Sequence, residues 1–369
     1  MKPDFRITGT GGDLTKTYAQ RLASLTITDN STEQADTVSI ELSNHDGKLP
    51  IPSEGEILSI AIGYEGNTVD KGQFVIDQIS LSGFPERMSL SGKAAPFAAA
   101  GGFTPFQSRK TRSFDNITLG QLVTNIAAEC GLIPGIAPQY YTVTIPHLDQ
   151  TNESNMNLLT RLARDYEALM KPTFGRLLFM PRSTGASITG SALPGPTITK
   201  SEVASYSAQF SQRTKYGSAT TRWHDPETGE TNSFKLDGEG SGADYEAPNL
   251  YPDETAAKNA AKSFLKSSER GSESITLSMS GRPDIIAEGL ITLSGFPDAM
   301  NKSWTIKTVT HSLSPSGFTT SVQAEIKDLE TPSTSEATPN TKTAANNPST
   351  PAGRNMQAVT WNPETRSFE

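Results

Sequence analysis

The chain has 369 residues, enough for two or three compact units at about 150 residues each, and its 20% charged content and mean hydropathy of -0.42 describe a polar protein. Thirty-two Lys and Arg against 40 Asp and Glu give a net charge of -8, the wrong balance for a protein that neutralises nucleic-acid phosphates. There is no apolar run long enough to span a membrane, the opening Met-Lys-Pro-Asp-Phe-Arg lacks the apolar core of a secretory signal, and the single Cys130 can neither form an internal disulfide nor hold zinc alone, so a reducing compartment or indifference to redox is expected.

The first hundred residues predict antiparallel strands. Leu22–Thr28 and Thr37–Leu42 alternate apolar and polar residues with period two, and Asp29–Thr32 and Asn44–Gly47 supply turn chemistry after them. Ile57–Gly63, Phe74–Leu81 and Met88–Ser91 continue the pattern, as expected of a small barrel or sandwich. Small apolar residues at Ala94–Gly102 mark a change of composition, followed by a basic patch of Arg109, Lys110 and Arg112.

Thr118 with Gln121 forms a capping box for a helix that buries Leu119, Leu122, Val123, Ile126 and Ala127 and stops at Gly131. A second helix is expected from Asn155 to Met170, ended by Pro172, and Gly175–Met180 reads as a strand, making a small α/β unit. Strands resume at Val203, with a hairpin around Trp223–Gly229 and a flexible loop at Gly238–Gly242. Asp253 caps a third helix closed by Gly271, and strands follow at Ser274–Ser280, Gly289–Ser294, Ser303–Ser312 and Phe318–Ile326. Beyond Glu330, Thr, Pro, Ser and Asn dominate, too polar to bury a core.

The β segments contain a self-similarity. Glu54–Ile60 resembles Glu288–Ser294 at an offset of 234, Gln73–Ile79 resembles Ser303–Val309 at 230, and Gly83-Phe84 matches Gly317-Phe318 at 234. The pattern admits two readings: β meanders that look alike by chance, or two copies of one barrel in one chain.

Residues 253–325 carry a further resemblance. Gly281-Arg282-Pro283-Asp284, Gly289, Leu293–Phe296, Trp304–Ile306, Val309–Leu313 and Ser316–Thr320 together resemble the C-terminal signature of the phage late-control D protein family, baseplate hubs of contractile tails related to the N-terminal part of the type VI secretion spike protein. Arg112–Phe114, Thr118–Gly120 and the stretch 147–180 match as well, so the resemblance spans roughly residues 5–328. Arg282 stands where members often carry Gly, and the tail after Glu330 carries no part of the resemblance.

With the element pattern, this resemblance implies a mainly β protein with an α+β insertion: a tube-protein-like antiparallel barrel over 1–108, a small α/β domain over 109–200 and a second barrel over 201–330 with the helix 253–270; composition alone adds an extended tail over 331–369. It implies a structural hub of a virion tail, a late protein assembled in the bacterial cytoplasm. Three chains would form a pseudo-sixfold ring joining the hexameric tail tube to a trimeric central spike carried on a separate polypeptide. Other baseplate proteins and the tape measure are further expected neighbours, and DNA would pass only in transit through a neutral or acidic channel, with the basic patch facing a protein. The tail's Val359, Trp361 and Phe368 suggest an extended segment docked on a neighbour, with Trp361 as anchor.

No catalytic, cofactor or metal site is expected. His45, His147, His224 and His311 are scattered without ligand spacing, and His311 on its strand reads as a packed residue. The carboxylate neighbours Glu54/Glu56, Asp165/Glu167 and Asp225/Glu227 read as adjacent solvated positions rather than the facing pair of a glycosidase. Gly9–Gly12 lacks the Lys and the strand-to-helix setting of a phosphate loop, and Cys130 at a helix end has no partner triad. Two alternatives to the structural hub remain: a tail-associated peptidoglycan hydrolase, and a transcriptional regulator, which the acidic charge disfavours.

Overall fold

In the computed structural model, the described residues are 2–31, 35–53, 55–94, 104–173, 175–182, 185, 188, 195–211, 216–225, 228–238, 242–326, 361–362 and 367–368. The N-terminal unit comprises β1 (Pro3–Gly9), β2 (Gly12–Asp13), α1 (Thr15–Ala19), β3 (Leu22–Asn30), β4 (Thr37–Ser43), β5 (Ile57–Tyr64), β6 (Asn67–Ser82) and β7 (Arg87–Ala94). Alternation places Leu25, Ile27, Ile40, Leu42, Leu58, Ile60, Phe74, Ile76, Met88 and Leu90 in one buried cluster, as the period-two pattern requires.

The middle section holds α2 (Thr104–Gln107), β8 (Arg109–Thr118), α3 (Leu119–Glu129), β9 (Ile133–Ile136), β10 (Thr144–Ser154), α4 (Asn155–Asp165), β11 (Ala168–Thr173) and β12 (Arg176–Pro181). The Thr118 hydroxyl accepts the Gln121 amide at 3.2 Å, and the Gln121 side chain accepts the Thr118 N–H at 3.2 Å, which completes the capping box. Gly131, at φ 67, closes α3 with Leu132 N–H bonded to Ala127 O at 2.8 Å. α4 is shorter than expected. It ends at Asp165, Glu167 takes φ 53, and Ala168–Thr173 becomes a strand paired with β12. Pro172 therefore does not terminate a helix. It lies in β11, an edge strand whose other side needs no amide donor.

The third section runs β13 (Thr197–Thr199), β14 (Val203–Phe210), β15 (Ser218–His224), β16 (Thr231–Asp237), β17 (Asp244–Tyr251), α5 (Glu254–Arg270), β18 (Glu273–Ser280), β19 (Leu290–Ser294), β20 (Ser303–Ser314) and β21 (Gly317–Ile326). Asp253 Oδ1 accepts the Ala256 amide at 2.8 Å to open α5. Ile275, Leu277, Ile291, Leu293, Trp304, Ile306, Val309 and Val322 belong to its own buried cluster. The three-stranded sheet β16-β15-β17 and α5 are inserted between β14 and β18.

Both β sections belong to one 13-stranded sheet whose main path is β14-β18-β21-β20-β3-β4-β7-β6-β5-β1-β2. The two halves join where β20 pairs antiparallel with β3, from Thr308 opposite Asn30 to Leu313 opposite Leu25. In the C-terminal segment β22 (Trp361–Asn362) pairs with β23 (Ser367–Phe368). The expected docking of the tail, its Trp361 side chain included, lies outside the described residues.

The duplication is real, with a corrected register. Strand pairs β3-β4-β7-β6-β5 and β14-β18-β21-β20-β19 follow the same order. Ile57 opposes Val75 and Leu58 opposes Phe74, as Leu290 opposes Thr305 and Ile291 opposes Trp304. The first strand is thus offset by 233 residues, one less than the sequence match, because fully buried Leu58 and Ile60 correspond to Ile291 and Leu293. A one-residue slip would turn these side chains out of the core.

The details repeat too. Gly55 N–H reaches Ile76 O at 3.0 Å and Ile76 N–H reaches Glu56 O at 2.9 Å; Glu288 N–H reaches Ile306 O and Ile306 N–H reaches Gly289 O, both at 2.9 Å. Gly55 and Glu288 share positive φ, at 79° and 64°. Bulges fall at Ile76/Gln78 and Ile306/Thr308, and again at Leu22/Ser24 and Val203/Ser205. The match of Gly83-Phe84 to Gly317-Phe318 is coincidental: Phe84 sits in a turn, 95% exposed, whereas Phe318 lies on β21 in a hairpin two rungs longer, 5% exposed in the N-terminal core.

Candidate functional site: the joint between the β units

The polar groups that matter most lie where the three sections meet. Lys171 on β11 places Nζ 3.0 Å from Asp29 Oδ1 on β3, 2.9 Å from Asp36 Oδ1 and 2.9 Å from the Asn30 carbonyl. The other Asp29 oxygen accepts the Ala287 amide at 2.8 Å, so one carboxylate ties the N-terminal unit to both of the others. Burial opposes ionisation of Asp29, but the Lys171 ammonium and the Ala287 N–H outweigh it and hold the carboxyl below its ordinary value. Asp36 is pushed up to about 6 by burial and by repulsion from Asp29.

His311 is fully buried in the same joint. Its Nδ1 lies 3.0 Å from Thr320 Oγ1, and its Nε2 lies 3.0 Å from Lys71 Nζ and 3.2 Å from the Ile285 carbonyl. Burial, and then the neighbouring Lys71 charge, lower its pKa to about 4, so the ring is neutral near pH 7 and serves as a hydrogen-bonded spacer. Beside it, Gly281 allows close approach: a Cβ there would stand 2.0 Å from the Phe318 ring. The Gly281 carbonyl accepts the Tyr64 hydroxyl at 3.0 Å. Arg282 forks onto Asp284 at 2.9 and 2.8 Å, and its amide donates to Thr320 at 2.8 Å. The Gly-Arg-Pro-Asp motif is therefore a clasp between units.

The other histidines do not gather. His147 is exposed and bridges Asp115 at 2.6 Å and Asp149 at 3.3 Å, which raises its pKa, while His45 contacts Ser43 at 3.3 Å and His224 stands exposed at the end of β15. Gly9 and Gly12 face each other across the β1–β2 hairpin. Cys130 caps α3, and burial raises its thiol pKa.

The basic patch is largely consumed within the middle section. Arg112 pairs with Glu129 and bonds Gln150 at 2.7 Å and Asn155 at 3.1 Å, and Lys110 reaches Glu129 at 2.7 Å. These cations pull Glu129 down to about 2 against the cost of its burial. Only Arg109 of the three is exposed.

Asp165 and Glu167 depart from the solvated pair expected of them. Both line a cavity of about 830 Å³ between α4, β17 and α5. Burial pushes Asp165 up to about 6, and Glu167 is clamped by Arg270, which also approaches Glu325 at 3.7 Å. The positive φ at Glu167 turns the chain out of α4, a feature helical periodicity does not signal. Glu54 and Glu227, members of the other two pairs, lie outside the described residues. Among the described residues no cluster of three potential metal ligands occurs.

Comparison with known proteins agrees with this architecture. The chain is 30% identical over 368 residues to the probable baseplate hub protein of Escherichia phage P2, and 29% identical over 370 residues to that of Escherichia phage 186, each match covering 89% of this chain and 94% of the relative. The 43 kDa tail protein of prophage MuSo2 from Shewanella oneidensis shares the fold at TM-score 0.66 and 15% identity, over 88% of this chain and 99% of that one. A type VI secretion component of Escherichia coli, described as structurally similar to T4 tail proteins gp27 and gp5, superposes at TM-score 0.53 and 13% identity over 84% of this chain and 74% of its own. The model of the phage tail baseplate hub (GPD) family matches residues 106–317, and the chain belongs to that family: it is a baseplate hub of a phage tail.

Proposed function

We propose that the chain works as a homotrimer whose six β units form a pseudo-sixfold ring, joining a hexameric tail tube to a trimeric central spike around a channel for DNA. The observation that carries this reading is the duplication, in which two units share strand order, bulges and the Gly55/Glu288 bracket. Three such chains offer a threefold partner one repeated surface and a sixfold partner two quasi-equivalent ones. The acidic balance of -8 suits a channel through which DNA slides without adhering. Assembly would take place in the bacterial cytoplasm, with other baseplate proteins as further neighbours. Size-exclusion light scattering of the chain, alone and with its cognate tube and spike proteins, tests the reading: a trimer is expected, and a monomer or true hexamer in the complex overturns it.

The role is structural rather than enzymatic in this reading. A hydrolase could be sought in the cavity holding Asp165 and Glu167, since a carboxyl raised to about 6 and lining a cavity resembles a general acid. Its neighbour Glu167, however, is held by Arg270 and is poorly placed to serve as the second carboxylate. A muramidase assay on the purified chain should show no activity above buffer, and activity lost in Asp165→Asn would reverse the assignment.

A further inference from the structure

The joint inside the chain has a counterpart that no strand fills among the described residues. Inside, β3 lies along β20, and Leu25, Val309 and His311 are 1%, 0% and 0% exposed. By the shared registers, β14 corresponds to β3 and β6 corresponds to β20. Yet β14 is a terminal strand of the sheet, and along Gln78–Ser82 β6 has β7 on one side and no strand on the other among the described residues. Two of the three residues equivalent to the buried ones are open: Tyr206 is 40% exposed where the first unit has Leu25, and Leu81 is 57% exposed where the second unit has His311, while Ile79, the counterpart of Val309, is half-buried against the N-terminal core. Phe210 is 48% exposed on β14, and Phe84 at the β6–β7 tip is 95% exposed, whereas Leu313 and Phe318, near the tip of the β20–β21 hairpin, are buried in the N-terminal core.

We propose that β14 of one subunit pairs antiparallel with Gln78–Ser82 of a second copy, in the register of the internal β20–β3 joint. This deepens the ring reading and rests on it. Transferring the register places Gln78 opposite Ser211, Ile79 opposite Phe210, Ser80 opposite Gln209, Leu81 opposite Ala208 and Ser82 opposite Ser207. The internal pair Ser312 and Thr26 has its hydroxyls 3.1 Å apart, and Ser82 with Ser207 reproduces that pair between subunits. An unpaired edge carrying exposed Leu, Tyr and Phe costs solubility as well as hydrogen bonds, and a second copy removes both costs with contacts the chain already uses once. The two joints differ in side chains: Asp29, which binds Lys171, is replaced by Phe210, and His311 by Leu81, so these two positions are more apolar between subunits than within the chain.

The test is cysteine cross-linking of the full chain, whose own Cys130 is buried. Under mild oxidation Ser82→Cys/Ser207→Cys should give a reducible ladder ending at the closed ring. Ser82→Cys/Ala208→Cys, shifted by one residue so that the thiols lie on opposite faces, should cross-link at least tenfold less. Phe210→Asp should raise the concentration for half-assembly at least tenfold. If light scattering finds the trimer but the 82/207 pair fails to cross-link, or cross-links no better than the shifted pair, the register is wrong and the ring stands. If the chain stays monomeric at every concentration and no pair cross-links, the register and the ring both fall.

Discussion

Lys171 and Asp29 lie 142 positions apart in sequence, yet their charged atoms meet at 3.0 Å, and through them the middle section is fastened to the seam of the long β-sheet. Both side chains are at most one-fifth exposed, and Asp36 shares the same ammonium at 2.9 Å. Two buried carboxylates around one cation tolerate its loss poorly. Lys171→Met should destabilise the chain by about 3 kcal/mol, the usual order when one partner of a buried pair is removed. Adding Asp29→Asn and Asp36→Asn should recover much of that. Urea denaturation checks both, and a Lys171→Met midpoint equal to wild type would mean that the cluster holds nothing together.

His311 supplies a pH dependence whose sign can be worked out. Its pKa is about 4 in the folded chain and 6.5 as a free group, so the unfolded chain binds more protons between those values. Its contribution is complete above pH 6.5 and is lost as pH falls towards 4, to an extent of about 3 kcal/mol. Asp36 acts in the opposite sense: its pKa is raised to about 6, so its contribution is greatest below its unfolded value and fades as pH rises through 6. The variant His311→Asn should therefore lose stability at pH 7 but flatten or invert the rise between pH 4.5 and 6.5. Denaturant midpoints across that range give the answer, and parallel curves for the two proteins would rule out the role of His311.

At Gly281 the constraint is steric. A methyl group 2.0 Å from the Phe318 ring forces that ring out of the N-terminal core. Gly281→Ala should cost about 1–3 kcal/mol, as overpacking does. Because the clash needs Phe318, the cost should be smaller in a Phe318→Leu background, and a double-mutant cycle measures the coupling.

The capping box of α3 offers a local test. Thr118→Ala removes the acceptor for the Gln121 amide and should cost about 1 kcal/mol, whereas Thr118→Ser should be near neutral. Thermal melts followed by circular dichroism distinguish the two substitutions.

Much of this fold is legible in the sequence because its rules are local. Period-two alternation locates β3, β4, β18 and β21, Thr118 and Asp253 mark helix starts, and Gly131 marks a helix stop. Local patterns misplace the end of α4, since residues 166–170 continue its apolar stripe while β12 competes for them with backbone hydrogen bonds. They also misplace the repeat by one residue, because Ile57 and Leu58 are equally apolar and only the buried side of the sheet tells them apart. Asp165 and Glu167 read as solvated for a similar reason: residues that enclose them, Arg270 among them, come from β17 and α5, about eighty to a hundred positions later.

The sequence by itself determined the strongly periodic strands, the helix starts, the family signature and the existence of two similar β segments, all of which depend on residues near one another or on composition. The tertiary structure decided which strands meet. The β20–β3 joint pairs residues 278 to 288 positions apart, and the Asp29–Lys171–Asp36 cluster and the His311 pocket exist only once that joint is made. No local periodicity encodes such contacts, because a strand edge presents the same backbone groups whatever partner completes it, and the choice rests on the side chains that become buried when the two edges close.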